Sequence, residues 1–166
     1  LAALEACGMA VIITQPNADT KGRVVARMMQ DYVQGQAKAR FIENLGPKGY
    51  FSLMACAEAM VGNSSSGIIE AASFGLPVVN IGKRQQGRIR TGNVIDVDCH
   101  REAILNGIRH AAQPEFRANL VGKSNPYGNG RASEQIVARL KSVILDDRLL
   151  MKRFCAPAVR PHRESV

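Results

Sequence analysis

Short apolar runs alternate with longer amphipathic stretches along most of the chain. Five such runs predict strands, at residues 10–14, 39–43, 59–62, 77–81 and 94–97. Apolar positions at helical spacing predict helices at residues 1–8, 20–34, 49–57, 66–74, 100–112, 114–121 and 131–145. Because strands that alternate with helices pair in parallel, the pattern predicts an α/β fold with helices on both faces of a parallel sheet.

Residues 61–88 carry the most informative candidate chemistry. A short strand leads into a turn of small and hydroxyl-bearing residues, Asn63 to Gly67, which is followed by a helix, a strand and a basic loop. Small residues let a ligand approach the backbone, Ser64 and Ser65 supply hydroxyl donors, and the first N–H groups of a helix lack intrahelical partners. This arrangement favours an anion and predicts a phosphate-binding site.

Two charged residues extend the predicted site beyond a single phosphate. Glu70 lies about one turn into the predicted helix, where its two acceptor oxygens suit the vicinal diol of a ribose. Arg84 follows the next strand and carries a forked set of donors that matches phosphate oxygens. A serine and glycine turn alone is more often a simple helix cap, but these residues and Asn17 favour a uridine or adenosine diphosphate.

Four spaced segments resemble a known enzyme family. They are Gly62-Asn63-Ser64-Ser65-Ser66-Gly67-Ile68-Ile69-Glu70-Ala71 with Phe74-Gly75-Leu76-Pro77, Asn80-Ile81-Gly82-Lys83-Arg84-Gln85, Pro16-Asn17-Ala18-Asp19, and Asn125-Pro126-Tyr127-Gly128-Asn129-Gly130. In their order along the chain, these segments are similar to the C-terminal half of the hydrolysing UDP-N-acetylglucosamine 2-epimerases, over about residues 10–145. The non-hydrolysing branch has Asp-Ser-Gly-Gly and a Glu-Glu pair in place of the serines and single Glu70, so the hydrolysing branch is favoured.

The resemblance implies a fold, a substrate and a set of contacts. The fold is one Rossmann-like half of a two-domain GT-B architecture, with residues 1–147 as the UDP-binding domain and residues 148–166 as a basic tail. The substrate is a UDP-sugar, with no cofactor and no metal ion. The implied substrate-binding residues are Ser64, Ser65, Glu70, Arg84, Asn17, Arg23, Asn44 and Leu45.

The first residues, Leu1 to Gly8, predict the end of an amphipathic helix with a glycine C-cap, so we expect the chain to begin within an element. The resemblance places the acidic catalytic groups on an N-terminal domain that this chain lacks. We therefore expect the 166 residues alone to bind UDP weakly and to be catalytically inactive. That missing domain and the UDP-sugar are the expected partners, and a homo-oligomer is possible.

Composition narrows the remaining function classes. The net charge is +8, but half of the excess lies in the basic tail, where five basic residues face one acidic residue. With no Trp, three Tyr and no basic stripe interleaved with aromatic residues, a nucleic-acid partner is not favoured. The four cysteines form no Cys-x-x-Cys pair, so neither a zinc site nor a disulfide framework is predicted.

No apolar run reaches membrane-spanning length and no signal segment begins the chain, so we expect no membrane partner and a cytoplasmic location. Two alternatives to the epimerase stay open. One is the nucleotide-sugar domain of a GT-B glycosyltransferase, which also presents a helix start and a ribose-binding Glu. The other is a non-catalytic module that binds nucleotides or polyanions.

Overall fold

The structure, a computed structural model, describes residues 1–17 and 21–151. All five predicted strands are present, as β1 (Val11–Thr14), β2 (Ala39–Ile42), β3 (Met60–Gly62), β4 (Val78–Ile81) and β5 (Val94–Val97). The helices are α1 (Ala2–Cys7), α2 (Gly22–Gln34), α3 (Gly46–Cys56), α4 (Ser66–Ile69), α5 (Arg101–Ala111), α6 (Pro114–Ala118), α7 (Ala132–Ser142) and α8 (Asp147–Leu150). The α/β prediction is therefore confirmed.

Every strand pairing is parallel, and the strands form two sheets. β1 pairs with β2, with Val11 opposite Ala39. β4 lies between β3 and β5, with Val78 opposite Met60 on one side and Val94 on the other. The sequence predicted the parallel direction of the strands. It did not predict that the five strands would form two separate sheets.

Helices cover both faces of the three-stranded sheet. Successive residues of β4 point to opposite faces: Val78 packs with Met54 of α3, and Val79 packs with Ile108 of α5. Both valines are almost completely buried. Leu4 of α1 packs against the α5 side, so the predicted Rossmann-like layering is confirmed around this sheet.

The helix boundaries differ from the prediction at several places. α6 ends at Ala118 and α7 ends at Ser142, each three residues earlier than predicted. The prediction of one helix over 66–74 is wrong, because α4 ends at Ile69 and a 3₁₀ turn, Ala71–Phe74, follows it. α3 begins three residues earlier than predicted, since Pro47 is favourable in the first helical turn. The sequence analysis missed α8, which begins one residue before the predicted tail. The Asp146 carboxylate caps two backbone N–H groups at the start of this helix.

The chain divides into two compact units, Leu1–Asn129 and Gly130–Val166. The first unit contains all the described strands and the helices α1 to α6, and the second contains α7 and α8. The assignment of a UDP-binding domain to residues 1–147 stays a prediction. Most of the predicted tail, residues 152–166, and part of the Pro16–Asp19 motif lie outside the described residues.

Candidate functional site

The predicted site residues follow the carboxyl ends of four strands. Asn17 and Arg23 come after β1, Asn44 and Leu45 after β2, Ser64, Ser65 and Glu70 after β3, and Arg84 after β4. Ligands of parallel α/β sheets bind beyond the carboxyl ends of the strands. The topology therefore assigns all eight residues to the end of a sheet where a ligand is expected.

The serine turn, residues 63–67, connects β3 to α4. Ser65 is the N-cap of α4, and Ser64 Oγ accepts a hydrogen bond from the Ser66 N–H at 3.3 Å. The next three N–H groups donate to the carbonyls of Ser64 and Ser65. Within the described residues, the Ser64 and Ser65 N–H groups donate no hydrogen bond. Two amides and two hydroxyls are therefore the local donors that an anion could use.

The short length of α4 changes the electrostatics of this site. The macrodipole of a helix comes from aligned peptide units, and α4 has only four residues before the 3₁₀ turn. The predicted attraction of an anion to a longer helix is correspondingly reduced. The local N–H groups, the hydroxyls and a nearby cation must supply most of the attraction.

Arg84 supplies that cation beside the serine turn. Its Nη1 donates to the Asn63 carbonyl at 3.0 Å, although the two residues are 21 positions apart in the chain. The side chain is exposed, and this contact uses one of the five N–H donors of the guanidinium. The structure thus places the Arg84 guanidinium against the residue that precedes Ser64, and its predicted contact with a phosphate stays a prediction.

Gln85 contacts the same carbonyl and was missed by the sequence analysis. Its Nε2 donates to the Asn63 carbonyl at 2.8 Å, and the residue is 2% exposed. A buried amide that donates to the turn before Ser64 holds that turn in place. In the sequence, nothing separates Gln85 from its exposed neighbour Gln86, so only the fold identifies it.

Glu70 lies at the junction of α4 and the 3₁₀ turn. It is partly buried, and its Oε2 has no hydrogen-bond partner within the described residues. A buried acceptor without a donor is uncommon in folded proteins. The predicted contact of Glu70 with a ribose hydroxyl stays a prediction.

The start of α3 connects to the serine turn through Tyr50. The Tyr50 hydroxyl lies 2.9 Å from Ser66 Oγ and donates to it. At the beginning of the same helix, Leu45 is the N-cap, and Asn44 Oδ1 accepts the Gly46 N–H at 2.8 Å. The Asn44 side chain thus accepts a hydrogen bond at the start of helix α3. The predicted contact of Asn44 and Leu45 with a uracil ring stays a prediction.

Asn17 and Arg23 follow strand β1 of the two-stranded sheet. Both are exposed, and Arg23 is in the first turn of α2. Within the described part of the chain, no hydrogen bond or ion pair joins either residue to the serine turn. Their predicted contact with the nucleotide therefore stays a prediction.

The motif at residues 125–127 contacts helix α4 and the 3₁₀ turn that follows it. Asn125 Nδ2 donates to the Ile69 carbonyl and to Ser73 Oγ, both at 2.7 Å. The Tyr127 hydroxyl donates to the Ile89 carbonyl at 3.0 Å. The two Asn125 bonds connect the motif to the residues on either side of Glu70, and the Tyr127 bond connects it to the loop after β4. These contacts give the motif a structural role.

Three other observations concern a cavity, possible metal ligands and possible membrane-spanning helices. A cavity of about 290 Å³ lies at the far end of the 3₁₀ turn, lined by Phe74, Arg117 and Lys123 among others, and no predicted site residue lines it. Across residues 1–17 and 21–151, no three His, Cys, Asp or Glu side chains are grouped as metal ligands. Within the same ranges, no helix has the length and apolar character needed to cross a membrane.

Comparison with known proteins decides the family. The sequence profile of the family described as UDP-N-acetylglucosamine 2-epimerase matches residues 1–141. The chain belongs to the UDP-N-acetylglucosamine 2-epimerase family. It is 41% identical over 148 residues to the UDP-N,N'-diacetylbacillosamine 2-epimerase (hydrolyzing) of Legionella pneumophila. It is 42% identical over 146 residues to the GDP/UDP-N,N'-diacetylbacillosamine 2-epimerase (hydrolyzing) of Campylobacter jejuni.

These relatives confirm the predicted hydrolysing branch, and they show how much of a full-length relative the chain spans. The matches cover 89% and 87% of this chain but only 38% and 37% of the two relatives. Among solved structures, the UDP-GlcNAc 2-epimerase of Methanocaldococcus jannaschii, in complex with UDP-GlcNAc and UDP, matches with a TM-score of 0.64. That match has 22% identity and covers 84% of this chain and 37% of the other, and it confirms the fold.

Proposed function

We propose that this chain is the C-terminal, UDP-binding half of a hydrolysing UDP-sugar 2-epimerase with the GT-B architecture. The observation that carries the proposal is the hydrogen bond from Arg84 to the Asn63 carbonyl. It holds a guanidinium beside Ser64 and Ser65, where amide and hydroxyl donors are available. A fixed cation next to such donors suits the pyrophosphate of UDP.

The proposed task of this half is to stabilise the leaving group. When the sugar C1–O bond breaks, negative charge builds on the phosphate oxygens of UDP. Donors that are already oriented toward that charge stabilise the transition state more than the ground state. Ser64, Ser65 and Arg84 would supply these donors, and the removal of one such donor typically costs about 3 kcal/mol.

The remaining residues of the site would bind the nucleoside. The Glu70 carboxylate would accept a hydrogen bond from a ribose hydroxyl, since its Oε2 has no other partner within the described residues. Asn44 and Leu45 at the start of α3 would lie against the uracil ring. Asn17 and Arg23 would contact the nucleotide from the side of β1.

The reaction of the whole protein follows from this assignment. UDP leaves C1 with the bonding electrons, and a proton leaves C2 to give a glycal. Water then adds a hydroxyl to C1 and a proton to C2, which produces the free sugar with the opposite configuration at C2. We propose N-acetylmannosamine or a diacetamido analogue as the product, and a separate N-terminal domain as the source of the proton-transfer groups.

The proposal also covers the cellular location and the partners of the protein. The proposed location is the cytoplasm, where UDP-sugars are expected as substrates. The expected partners are the UDP-sugar, the N-terminal domain and, in a homo-oligomer, further copies of the protein.

Calorimetric titration of the 166-residue chain with UDP, UMP and uridine tests the proposed site. We expect UDP to bind most tightly, and Arg84→Gln to weaken UDP binding by about 10- to 100-fold without changing uridine binding. Arg88→Gln, which removes the same charge from an exposed position of the same loop, is the matched control and should have a much smaller effect. Equal losses in the two variants would contradict the proposal.

A second experiment tests the reaction in a longer protein that contains this chain and an N-terminal domain. UDP-N-acetylglucosamine and UDP-N,N'-diacetylbacillosamine are supplied separately, and the products are identified by mass spectrometry and NMR. Release of UDP with a free 2-epimerised sugar supports the proposal. Transfer of the sugar to an acceptor instead would identify a glycosyltransferase.

A further inference from the structure

The Asn63 carbonyl is the point at which the basic loop after β4 holds the serine turn. It accepts one hydrogen bond from Arg84 at 3.0 Å and another from Gln85 Nε2 at 2.8 Å. Arg84 is exposed, whereas Gln85 is 2% exposed. The buried amide is therefore the more rigid of the two contacts, since an exposed arginine side chain retains conformational freedom.

The orientation of the Gln85 amide is determined by this contact. Its Oε1 is buried without a partner in the described part of the chain. A rotation by half a turn would bring that oxygen against the Asn63 carbonyl oxygen, where two acceptors repel each other. The hydrogen bond to Asn63 therefore both fixes the side chain and constrains the turn.

A chain of contacts connects Gln85 to the interior of the three-stranded sheet. Arg90 Nη2 donates to the Gln85 carbonyl at 2.9 Å, and Arg90 Nη1 pairs with the Asp96 carboxylate of β5. The other oxygen of Asp96 accepts a hydrogen bond from Asn80 Nδ2 at 2.7 Å. Asn80 lies in β4 and is 1% exposed. The network runs from the sheet through the loop to the turn before Ser64.

From these contacts we infer that Gln85 is a positioning residue for the phosphate-binding serine turn, and that Arg90 and Asp96 hold Gln85 in place. The inference rests on the proposed function, because it assigns a UDP ligand to the turn. Gln85 orients the donors of Ser64 and Ser65 through the Asn63 carbonyl. The network deepens the proposed site by adding residues that act without contact to the nucleotide.

The test compares Gln85→Met with Gln86→Met in the 166-residue chain. Methionine has nearly the volume of glutamine but cannot donate a hydrogen bond, and Gln86 is the exposed neighbour in the same loop. We expect Gln85→Met to weaken UDP binding by about three- to tenfold, which corresponds to the loss of one hydrogen bond. Uridine binding should be unchanged, and Gln86→Met should match the parent protein for both ligands.

Amide hydrogen exchange provides a readout that is independent of ligand affinity. Faster exchange in Gln85→Met that is confined to residues 66–69, whose N–H groups donate to Ser64 and Ser65, supports the positioning role. An unchanged rate at those residues would overturn it, and so would a uniform increase over the whole first unit, which indicates a general structural role. If the parent chain does not prefer UDP to uridine, the proposed function fails, and the exchange pattern still decides the positioning role.

Arg90→Met is the second variant, in case Gln85→Met does not fold. This change removes the hydrogen bond from Arg90 to the Gln85 carbonyl and the ion pair with Asp96, and the Arg90 side chain is only partly exposed. Its exchange increase should be smaller than that of Gln85→Met and should occur at the same residues. Exchange at the parent rate in this variant would overturn the role of Arg90.

Discussion

Substitution of Gly67 by alanine should destabilise the protein at the serine turn. Gly67 is buried in α4 where this helix crosses β4. A Cβ added there would lie 2.9 Å from Val78 Cγ1 and 3.7 Å from Met60 Sδ. The first distance is well inside normal carbon–carbon contact. Val78 is 3% exposed and branched at Cβ, so its side chain has little freedom to rotate away.

Two opposing effects determine the size of the loss. Overpacking a well-filled core typically costs about 1–3 kcal/mol, because side chains or backbone must shift. Alanine in place of glycine within a helix contributes about 1 kcal/mol in the other direction. Because a Cβ 2.9 Å from a buried, branched side chain forces a shift, we take the upper part of the overpacking range, about 2–3 kcal/mol. The expected net decrease in the free energy of unfolding is then about 1–2 kcal/mol, which corresponds to a fall of about 2–8 °C in Tm.

Gly49→Ala is the matched control, since Gly49 is also helical. Its added Cβ would lie 3.4 Å from Leu45 Cβ, which is an ordinary van der Waals distance. This variant should be neutral or up to about 1 kcal/mol more stable. Urea denaturation followed by circular dichroism measures both variants. If Gly67→Ala proves as stable as Gly49→Ala, the argument that helix α4 needs glycine for its close approach to β4 is wrong.

Two further predictions concern buried hydrogen bonds. Asn93 is 2% exposed, and its Nδ2 donates to the Leu76 carbonyl at 3.0 Å, so Asn93→Ala should cost about 1–3 kcal/mol in urea denaturation. The same change at the exposed Asn106 of α5 should stay within about 0.5 kcal/mol, and equal effects of the two changes would contradict this reasoning. Tyr50→Phe removes the hydroxyl that donates to Ser66 Oγ and should lower stability by about 1 kcal/mol. An unchanged denaturation midpoint would show that this bond contributes nothing net.

Part of the candidate site could be predicted because its chemistry is local. Ser64, Ser65 and Glu70 lie within one short segment, and strand-turn-helix periodicity is enough to place them together. Arg84 was associated with them because parallel strands end at the same edge of a sheet. The hydrogen bond from Arg84 to the Asn63 carbonyl agrees with that expectation.

Other features depend on contacts between residues that are distant in the chain. The break between α4 and the 3₁₀ turn was missed, because the apolar spacing of residues 66–74 fits a single helix equally well. Gln85 could not be separated from Gln86, since burial of one and exposure of the other results from the path of the loop. The Arg90–Asp96 ion pair likewise requires the loop to fold back on β5.

The sequence by itself determined the order, type and parallel direction of the strands, the family of the chain and the identity of the donors after β3 and β4. These follow from hydrophobic periodicity and from the chemistry of neighbouring residues, which are properties of short segments. Only the tertiary structure decided which polar groups are buried and what holds the serine turn. The Asn63 carbonyl receives two donors from a loop more than 20 residues away, and burial of Gln85 makes that contact rigid.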